Sequence, residues 1–309
     1  MNQPVNPKSF IAVAPTRIDH IEAITPAMYH KTGVDGVYLR TELFEKVISG
    51  LSDLITSLRE DGTEVLRFPP VMSRKMLETT GYAHNFPHML GGVCCIDHSH
   101  SAEVGPGHEF DWADHATTSD LVLTPAACYP VYPLAASRGS VPEGGLKFDV
   151  MSDCFRREPS KRLDRLQTFR MREYVCIGTG EQVLAFRERW QARGGKLAEQ
   201  LELPCTFVKA SDPFFGRLGQ MLAAAQIEQG LKFELVVPIY SPEQPTACMS
   251  FNYHMDHFGH TWDLKDSKGE YAHTGCSAFG LDRLALALFA THGTVLSAWP
   301  VGVKAALKV

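Results

Sequence analysis

The chain has 309 residues and a mass of 34.2 kDa, with 44% hydrophobic and 21% charged residues, so it can bury a large core as one big domain or two smaller ones. Its apolar runs, such as LALALFA and FELVVPIY, are too short to cross a bilayer, and the N-terminus MNQPVNPKSF lacks a secretory signal; we therefore expect a cytoplasmic protein with no membrane contact. The net charge of -5 argues against a large nucleic-acid surface.

The first half of the chain predicts one long helix followed by short elements. Residues 37–60 form the helix, because apolar residues recur there at helical spacing. TEVLRFPPVMS predicts a strand that Pro69-Pro70 closes, since proline cannot donate to a central ladder. A loop-rich stretch follows at about 81–118. DLVLTPAACYPVYP then predicts a strand that runs into a helix, with Pro125 suited to the first helical turn.

The second half predicts a hairpin and then alternating helices and strands. Residues 147–180 predict a strand, a long charged loop and a second strand. Helices are predicted in VLAFRERWQARGGKLAEQLEL, PFFGRLGQMLAAAQIEQGL and LDRLALALF. Strands are predicted in CTFVKAS, KFELVVPIYS, TACMSFNYHMD and HTWDLKDSKGEYAHT, the last with a hairpin around residues 266–269. The pattern indicates the α+β class, an antiparallel sheet flanked by helices, with no repeat or linker that divides the chain.

The hairpin predicted between Cys154 and Cys176 is rich in arginine. Its basic residues are Arg156, Arg157, Lys161, Arg162, Arg165, Arg170 and Arg172. One interpretation is a solvated charged face, the usual role of a basic run. The other is a nucleotide site: Arg156 and Glu158 can leave one face of a strand, so that the guanidinium binds a phosphate and the carboxylate binds the amine of adenine.

The eight cysteines show no CxxC spacing, which favours thiols or metal ligands over a disulfide framework. Cys128, Glu173 and Cys276 could bind zinc with two thiolates, a carboxylate and an open fourth position. Spacing alone does not show this site, since a single cysteine is usually a buried small residue. The histidines in 84–115 and 254–273 could form a second metal site, although loop histidines are common.

Three stretches, in chain order, resemble the three motifs of the class II aminoacyl-tRNA synthetases. The helix 37–60 with VLRFPPVM is similar to motif 1, the dimer-forming helix and strand. CFRREPSKRLDRLQTFRMREY resembles motif 2, with its Phe-Arg-x-Glu signature at residues 155–158. GCSAFGLDRLALALF is similar to motif 3, a glycine-rich strand and a helix whose arginine, here Arg283, holds the γ-phosphate of ATP. The resemblance thus implies why Arg283 lies on an otherwise apolar helix: its guanidinium group would face the polyphosphate of ATP.

Within that class the chain resembles the catalytic core of zinc-dependent seryl-tRNA synthetases, whose Cys, Glu and Cys ligands match Cys128, Glu173 and Cys276. It departs from them because only residues 1–36 precede the motif 1 helix, and nothing else resembles a tRNA reader. It is similar instead to the truncated bacterial homologues that act as amino acid:carrier protein ligases. The resemblance implies one catalytic domain over 1–309, with 1–36 as an N-terminal extension and no tRNA-binding domain.

The resemblance also implies the roles of single residues. ATP and Mg²⁺ are expected at Arg156, Glu158, Arg165, Leu166, Gly269, Glu270, Tyr271, Ala272 and Arg283. Of these, Arg156 and Arg283 would be the catalytic residues. Zinc on the two cysteines and Glu173 would bind the amino group of a small amino acid, glycine or alanine, which makes Glu173 a substrate-binding residue as well. The aminoacyl group would then pass to the phosphopantetheine thiol of a carrier protein.

Two surfaces are expected to bind proteins. The motif 1 helix implies a homodimer. The helix in DPFFGRLGQMLAAAQIEQGLKF could place an apolar side and Arg217 against an acidic carrier protein, or it could be a plain amphipathic helix on the sheet. Two other functions stay open: tRNA aminoacylation of the seryl type with a partner that supplies the missing domain, and a non-catalytic synthetase-like regulator, although regulators usually lose the motif arginines.

Overall fold

The computed structural model describes residues 18–96 and 111–309. Its α-helices are α1 (Ile18–Met28), α2 (Glu42–Ser57), α3 (Arg74–Thr79), α4 (Tyr82–Asn85), α5 (Val131–Ala136), α6 (Gly180–Gln200), α7 (Gly216–Glu228), α8 (His257–Thr261), α9 (Leu281–His292) and α10 (Val301–Leu307). Its strands are β1 (Tyr29–Val34), β2 (Val37–Arg40), β3 (Glu64–Arg67), β4 (Val71–Ser73), β5 (Gly92–Ile96), β6 (Ala116–Leu123), β7 (Leu146–Phe155), β8 (Thr168–Gly178), β9 (Thr206–Lys209), β10 (Lys232–Val237), β11 (Thr246–Tyr253) and β12 (His273–Gly280).

A seven-stranded sheet, in the order β3-β7-β8-β12-β11-β10-β9, forms the centre of the described structure. Its neighbouring strands are antiparallel except for the parallel pair of β3 and β7. Side chains alternate between its faces: Tyr174 and Cys176 join the main core with α6 and α9, whereas Val175 and Ile177 join a second core with α5. The α+β class with helices flanking an antiparallel sheet is confirmed.

The helix predicted over 37–60 is wrong at its N-terminal end. Asp35-Gly36 makes the tight turn that joins β1 to β2, with Gly36 at a φ of 78°. Helix α2 begins only after Thr41, whose side chain accepts a hydrogen bond from the Phe44 N–H as an N-cap. The apolar stripe of α2 is buried within the same chain, against α1, α9 and α10.

Two elements before the β7-β8 hairpin differ in their bounds from the sequence predictions. The strand predicted in TEVLRFPPVMS is divided at Pro69-Pro70 into β3 and β4. The helix predicted to begin near Pro125 begins at Val131. Residues 127–130, between Pro125 and this helix, form turns. There the Cys128 N–H donates to Glu173 Oε1 and not to a helical carbonyl.

The strand predicted in HTWDLKDSKGEYAHT is mostly not a strand. Its start belongs to α8, and its turn is closed by one isolated bridge between Lys265 and Tyr271. The Asp266 carboxylate holds this turn because it accepts hydrogen bonds from the backbone of Lys268 and Glu270. The ladder begins only at His273.

The loop-rich stretch 81–118 contains α4, β5 and the start of β6, and β5 and β6 form a small sheet with β4. Residues 97–110 of this stretch lie outside the described residues. None of the described helices combines the length and apolar character needed to cross a membrane.

Candidate active site

A cavity of about 460 Å³ lies on the sheet face that carries Glu173 and Cys276. Its walls are the hairpin of β7 and β8, the neighbouring strands β10, β11 and β12, the start of α9, the region of α4, and the segment that precedes α7. Motif residues from distant parts of the sequence therefore face one space.

Two arginines line this cavity without a carboxylate partner among the residues that the structure describes. Arg156 donates from Nε to the carbonyl oxygen of Pro125 at 3.0 Å. Arg283 donates from Nε to the carbonyl oxygen of Asp164 at 2.9 Å and from Nη1 to that of Ala247 at 3.0 Å. Carbonyl oxygens orient both guanidinium groups, and neither group is tied up in an ion pair with a described carboxylate, so both can bind an anion in the cavity.

The pKa of Arg283 supports this interpretation. Burial and the like charge of Arg165 lower it below the ordinary value, although a guanidinium remains protonated at neutral pH. A bound phosphate would offset both effects, because it supplies the missing negative charge and several hydrogen-bond acceptors.

The other residues of motif 2 lie in the cavity or at its rim. Glu158 and Leu166 line the cavity. Arg165 is not part of the lining; its side chain is 55% exposed and forms a loose ion pair with Glu158 at 3.9 Å. The structure thus brings Arg156, Glu158, Leu166 and Arg283 together and places Arg165 beside them.

The structure does not bring Gly269, Glu270, Tyr271 and Ala272 to the cavity. Tyr271 packs on the His260 ring with centroids 3.8 Å apart. Ala272 is fully buried, and its N–H donates to the Leu264 carbonyl oxygen. The turn at 266–269 folds this segment back on α8, away from the arginines.

Cys128, Glu173 and Cys276 also line the cavity, with exposed fractions of 4%, 2% and 4%. Their ligand atoms all lie within 4.8 Å of one another, close enough for one ion to bind all three. The register of β8 and β12 sets Ala278 opposite Glu173, so Glu173 and Cys276 are diagonal neighbours on one face. Among the described residues, the histidines of 84–115 and 254–273 form no comparable group.

The chemistry of these three side chains fits zinc. A hydrogen bond with Cys276, burial and the charge of Glu173 raise the pKa of Cys128. The pKa of Cys276 is raised too: its hydrogen bond with Cys128 opposes the change, but burial and Glu173 outweigh it. A divalent cation would reverse these shifts because it binds the thiolate form. Two sulfurs and a carboxylate are a ligand set that zinc accepts.

Two neighbours can orient the Cys276 sulfur. Asn252 Nδ2 lies 3.2 Å from Sγ, and His254 Nε2 lies 3.7 Å from it. Burial lowers the pKa of His254 to about 4, so the ring is neutral at neutral pH. Its Nδ1 is 3.0 Å from Thr274 Oγ1, which fixes the ring. Outer contacts of this kind set the orientation of a metal ligand.

Sequence reasoning missed two groups of cavity residues. The first is a run of β11, Ala247, Cys248, Met249 and Ser250, next to Arg283. The second is charged: Asp212, Lys232 and Glu234. The available signal for the second group was the pair of charges at alternate positions of KFELVV, an otherwise apolar strand that pairs with a neighbour on both sides.

Helix α7 presents its apolar side to solvent. Leu218 is 60% and Met221 66% exposed, and Arg217 is exposed beside them. The segment before the helix is anchored, because Phe214 stacks on Phe86 with centroids 5.1 Å apart. A plain amphipathic helix packed on the sheet would bury these side chains, so α7 is an open surface at the cavity.

The sequence matches no protein-family model. It is 58% identical over 296 residues to amino acid–acyl-carrier-protein ligase 1 of Bradyrhizobium diazoefficiens, an alignment that covers 94% of this chain and 90% of that protein. The chain belongs to this family of ligases. This chain is also 32% identical over 282 residues to the type-2 serine–tRNA ligase of Methanopyrus kandleri, and that alignment covers 84% of this chain and 53% of the M. kandleri protein.

Solved structures agree on the fold. This ligase superposes on the M. kandleri seryl-tRNA synthetase, solved in complex with tRNASec of A. aeolicus, with a TM-score of 0.80 and 23% identity, over 97% of the chain and 64% of that chain. The seryl-tRNA synthetase of Pyrococcus horikoshii, complexed with ATP, gives 0.66 at 17% identity over 91% and 60%. The resemblance to a truncated class II synthetase core is confirmed.

Proposed function

We propose that this ligase uses ATP to activate glycine or alanine as an aminoacyl-adenylate and transfers the aminoacyl group to the phosphopantetheine thiol of a carrier protein. One observation carries the proposal. Arg156 and Arg283 line a single cavity with only carbonyl partners among the described residues, and three possible metal ligands lie in the same cavity.

ATP would bind across the hairpin. Arg156 would contact the α-phosphate and Arg283 the outer phosphates, with Arg165 turning in from the rim. Glu158 would accept a hydrogen bond from the adenine amine, and Leu166 would pack on the base. Mg²⁺ would neutralise the remaining phosphate charge. The family membership and the solved neighbour complexed with ATP support this assignment.

The amino acid would bind at Cys128, Glu173 and Cys276. Zinc held by these three side chains would take the neutral amino group of the substrate as its fourth ligand. Asn252 and His254 would keep the Cys276 sulfur in place. The aromatic rings of Tyr129 and Phe258, 6.1 Å apart, line the cavity beside this cluster and would restrict the substrate side chain to a small one.

The reaction needs positioning and charge stabilisation more than acid-base catalysis. A carboxylate oxygen of the amino acid attacks the α-phosphorus, the bond to the β-phosphate oxygen breaks, and pyrophosphate leaves. Arg156 would stabilise the charge that develops on the α-phosphoryl group. The thiol of the carrier then attacks the carbonyl carbon of the adenylate, loses its proton to solvent, and AMP leaves with the electron pair of the broken bond.

The carrier would dock on α7. Carrier proteins are typically acidic, and the exposed apolar side of α7 beside Arg217 offers a complementary surface at the cavity. We also infer one catalytic domain, because the strands and the hairpin of one central sheet carry Arg156, Glu173 and Cys276.

Amino-acid-dependent pyrophosphate exchange tests the activation step. We expect exchange with glycine or alanine among all twenty amino acids, and a loss of at least about 100-fold in Arg156→Met. Arg157→Met is the matched control, because Arg157 is the next residue and is exposed; it should retain activity. Exchange with no amino acid would instead favour a non-catalytic regulator, and charging of tRNA would favour the synthetase function.

A further inference from the structure

A buried lysine lines the same cavity as the metal-ligand cluster. Lys232 begins β10 and is 8% exposed. Its Nζ donates to Asp212 Oδ1 at 2.5 Å and lies 3.3 Å from Glu234 Oε1. An ammonium group has three donors, so one remains for a ligand in the cavity that Lys232 lines.

Asp212 is a fixed anion and not a base. Its Oδ2 accepts from Gln226 Nε2 at 2.9 Å, its Oδ1 accepts from Lys232, and its own N–H donates to Gln226 Oε1 at 2.7 Å. Burial raises its pKa, but the nearby ammonium of Lys232 outweighs burial and lowers the pKa overall. The carboxylate therefore holds the lysine in one place and keeps it charged.

The pairing of β10, β11 and β12 places Lys232 on the same sheet face as Cys276, one of the three possible metal ligands. Lys232 is directly opposite Asn252 in the ladder of β10 and β11, and Asn252 is directly opposite Cys276 in the ladder of β11 and β12. Directly opposed residues share a face, so the three form one row across three strands, with Lys232 and Cys276 roughly 10 Å apart along it. Arg156 is close enough for its charge to act on Lys232.

We infer that Lys232 is a substrate-binding residue that donates a hydrogen bond to the carboxylate of the amino acid. The inference rests on the proposed function. With its amino group at Cys128, Glu173 and Cys276, the substrate extends along the row, and its carboxylate lies between Lys232 and Arg156. Gln226 belongs to α7, so the anion that positions Lys232 is itself held by the helix proposed to dock the carrier.

The test compares glycine with ethanolamine, which has the same amino group and a hydroxymethyl group in place of the carboxylate. The KM for glycine and the inhibition constant of ethanolamine are measured in pyrophosphate exchange with the zinc-loaded ligase. In Lys232→Met we expect a KM for glycine that is about 10- to 100-fold higher, and an inhibition constant for ethanolamine within about twofold of the wild type.

Two further variants keep the test decisive. Lys232→Met with Asp212→Asn removes the pair together and leaves only the partly exposed Glu234 without its partner; it should show the same selective loss if the single variant does not fold. Lys209→Met makes the same change on the exposed neighbouring strand β9 and should leave both constants unchanged. Zinc content and the melting temperature are measured for each.

Three results overturn the inference: equal losses for glycine and ethanolamine, an unchanged KM for glycine, or a loss that follows the zinc content. Each of these is read against a wild-type ligase that exchanges pyrophosphate with glycine. A wild-type protein without exchange would instead reject the proposed function.

Discussion

Cys128, Glu173 and Cys276 are three possible metal ligands that lie buried side by side. The hydrogen bond with Cys276, burial and Glu173 raise the pKa of Cys128. Burial and Glu173 raise that of Cys276 against the opposing hydrogen bond with Cys128, so neither thiolate forms readily unless a cation compensates its charge. The amide of Asn252 donates toward the Cys276 sulfur, and the neutral ring of His254 lies beside it. A divalent cation at this cluster would favour the thiolate form of both cysteines.

Replacement of Cys128 or Cys276 by Ser should remove most of the zinc, which we expect at about one ion per chain. The serine hydroxyl stays protonated and is a poorer ligand than a thiolate. Elemental analysis of the purified variants measures this. Cys176→Ser is the control, because Cys176 is equally buried on β8 but faces the main core. Full zinc in both cluster variants would reject the site.

Single residues were predictable to different degrees. The motif residues Arg156, Glu158 and Arg283 could be named from their resemblance to class II motifs. Cys128 could not be found from spacing, because only the fold brings it to Glu173. Residues 269–272 were expected to contact ATP because they lie just before motif 3 in the sequence. In the structure, the cavity residues beside Arg283 come instead from β11. Alternation predicts which strand residues share a face, but it does not say which face borders a cavity.

At the scale of elements, a buried ion pair joins the hairpin. Arg172 and Asp149 are both fully buried on β8 and β7, with donor-acceptor distances of 2.9 and 2.6 Å. Arg59 and Arg67 add further contacts to the same carboxylate. Burial raises the pKa of Asp149, but Arg172 outweighs it and lowers the pKa overall.

Arg172→Met should reduce the free energy of unfolding by about 3 kcal/mol near neutral pH, at the low end for a buried pair because other arginines remain. Since the pKa of Asp149 is lowered in the folded state, this stabilisation is complete above the unfolded value of about 4 and is lost as pH falls below it. Urea unfolding at several pH values should show the variant and the wild type converging in acid.

The control for that series is Arg138→Met. Arg138 forms a short two-pronged ion pair with Glu64, but about 40% of each side chain is exposed (43% and 40%). Water and salt screen such a pair, so the change should be much smaller. An equal loss in both variants, or a difference that is independent of pH, would contradict the role assigned to the buried pair.

Helix α7 provides the second prediction for an element. Arg217→Glu should weaken carrier loading by about 1 to 3 kcal/mol and leave pyrophosphate exchange intact, because it reverses the charge that faces an acidic partner. The same reversal at Lys196, which is exposed on α6 and on the other side of the sheet, should change neither step. Unchanged loading in Arg217→Glu would place the carrier elsewhere.

Element boundaries show the limit of periodicity. Leu39 continued the apolar spacing of the helix predicted over 37–60, yet it is 62% exposed on β2. The Asp35-Gly36 turn and the Thr41 cap were the stronger local signals. Strands β7, β8, β10 and β11 were predictable because their alternation of apolar and polar residues agrees with their turn residues. The segment after α8 was not, because the Asp266 side chain holds its turn.

At the scale of the whole molecule, the surfaces that a dimer could use differ from those expected from the sequence. The apolar stripe of α2 is already covered by helices of its own chain and needs no second copy. Exposed apolar residues remain at the β1-β2 hairpin and on the edge strand β3: Val34, Leu39 and Val65. The resemblance to motif 1 implies that two copies meet through residues 37–60 and the strand that follows them, and Leu39 and Val65 at the edge of the structure belong to that stretch.

We predict a homodimer through this edge, and sedimentation measures it. The wild type should sediment at twice 34.2 kDa at micromolar concentration. Leu39→Arg should weaken association at least about tenfold, because it buries a charge at the contact. Val301→Arg on α10, where Val301 is 80% exposed, should have no effect. A wild-type particle of one chain would contradict the homodimer.

The central claim is the transfer of an activated amino acid to a carrier protein, and intact-mass analysis of the carrier tests it most directly. A phosphopantetheine-loaded carrier is incubated with this ligase, ATP and glycine or alanine. We expect that the carrier gains the mass of one aminoacyl group, that hydroxylamine removes it, and that a carrier without phosphopantetheine gains nothing. A carrier that stays unmodified while the ligase exchanges pyrophosphate, or tRNA that is charged in its place, would contradict the account.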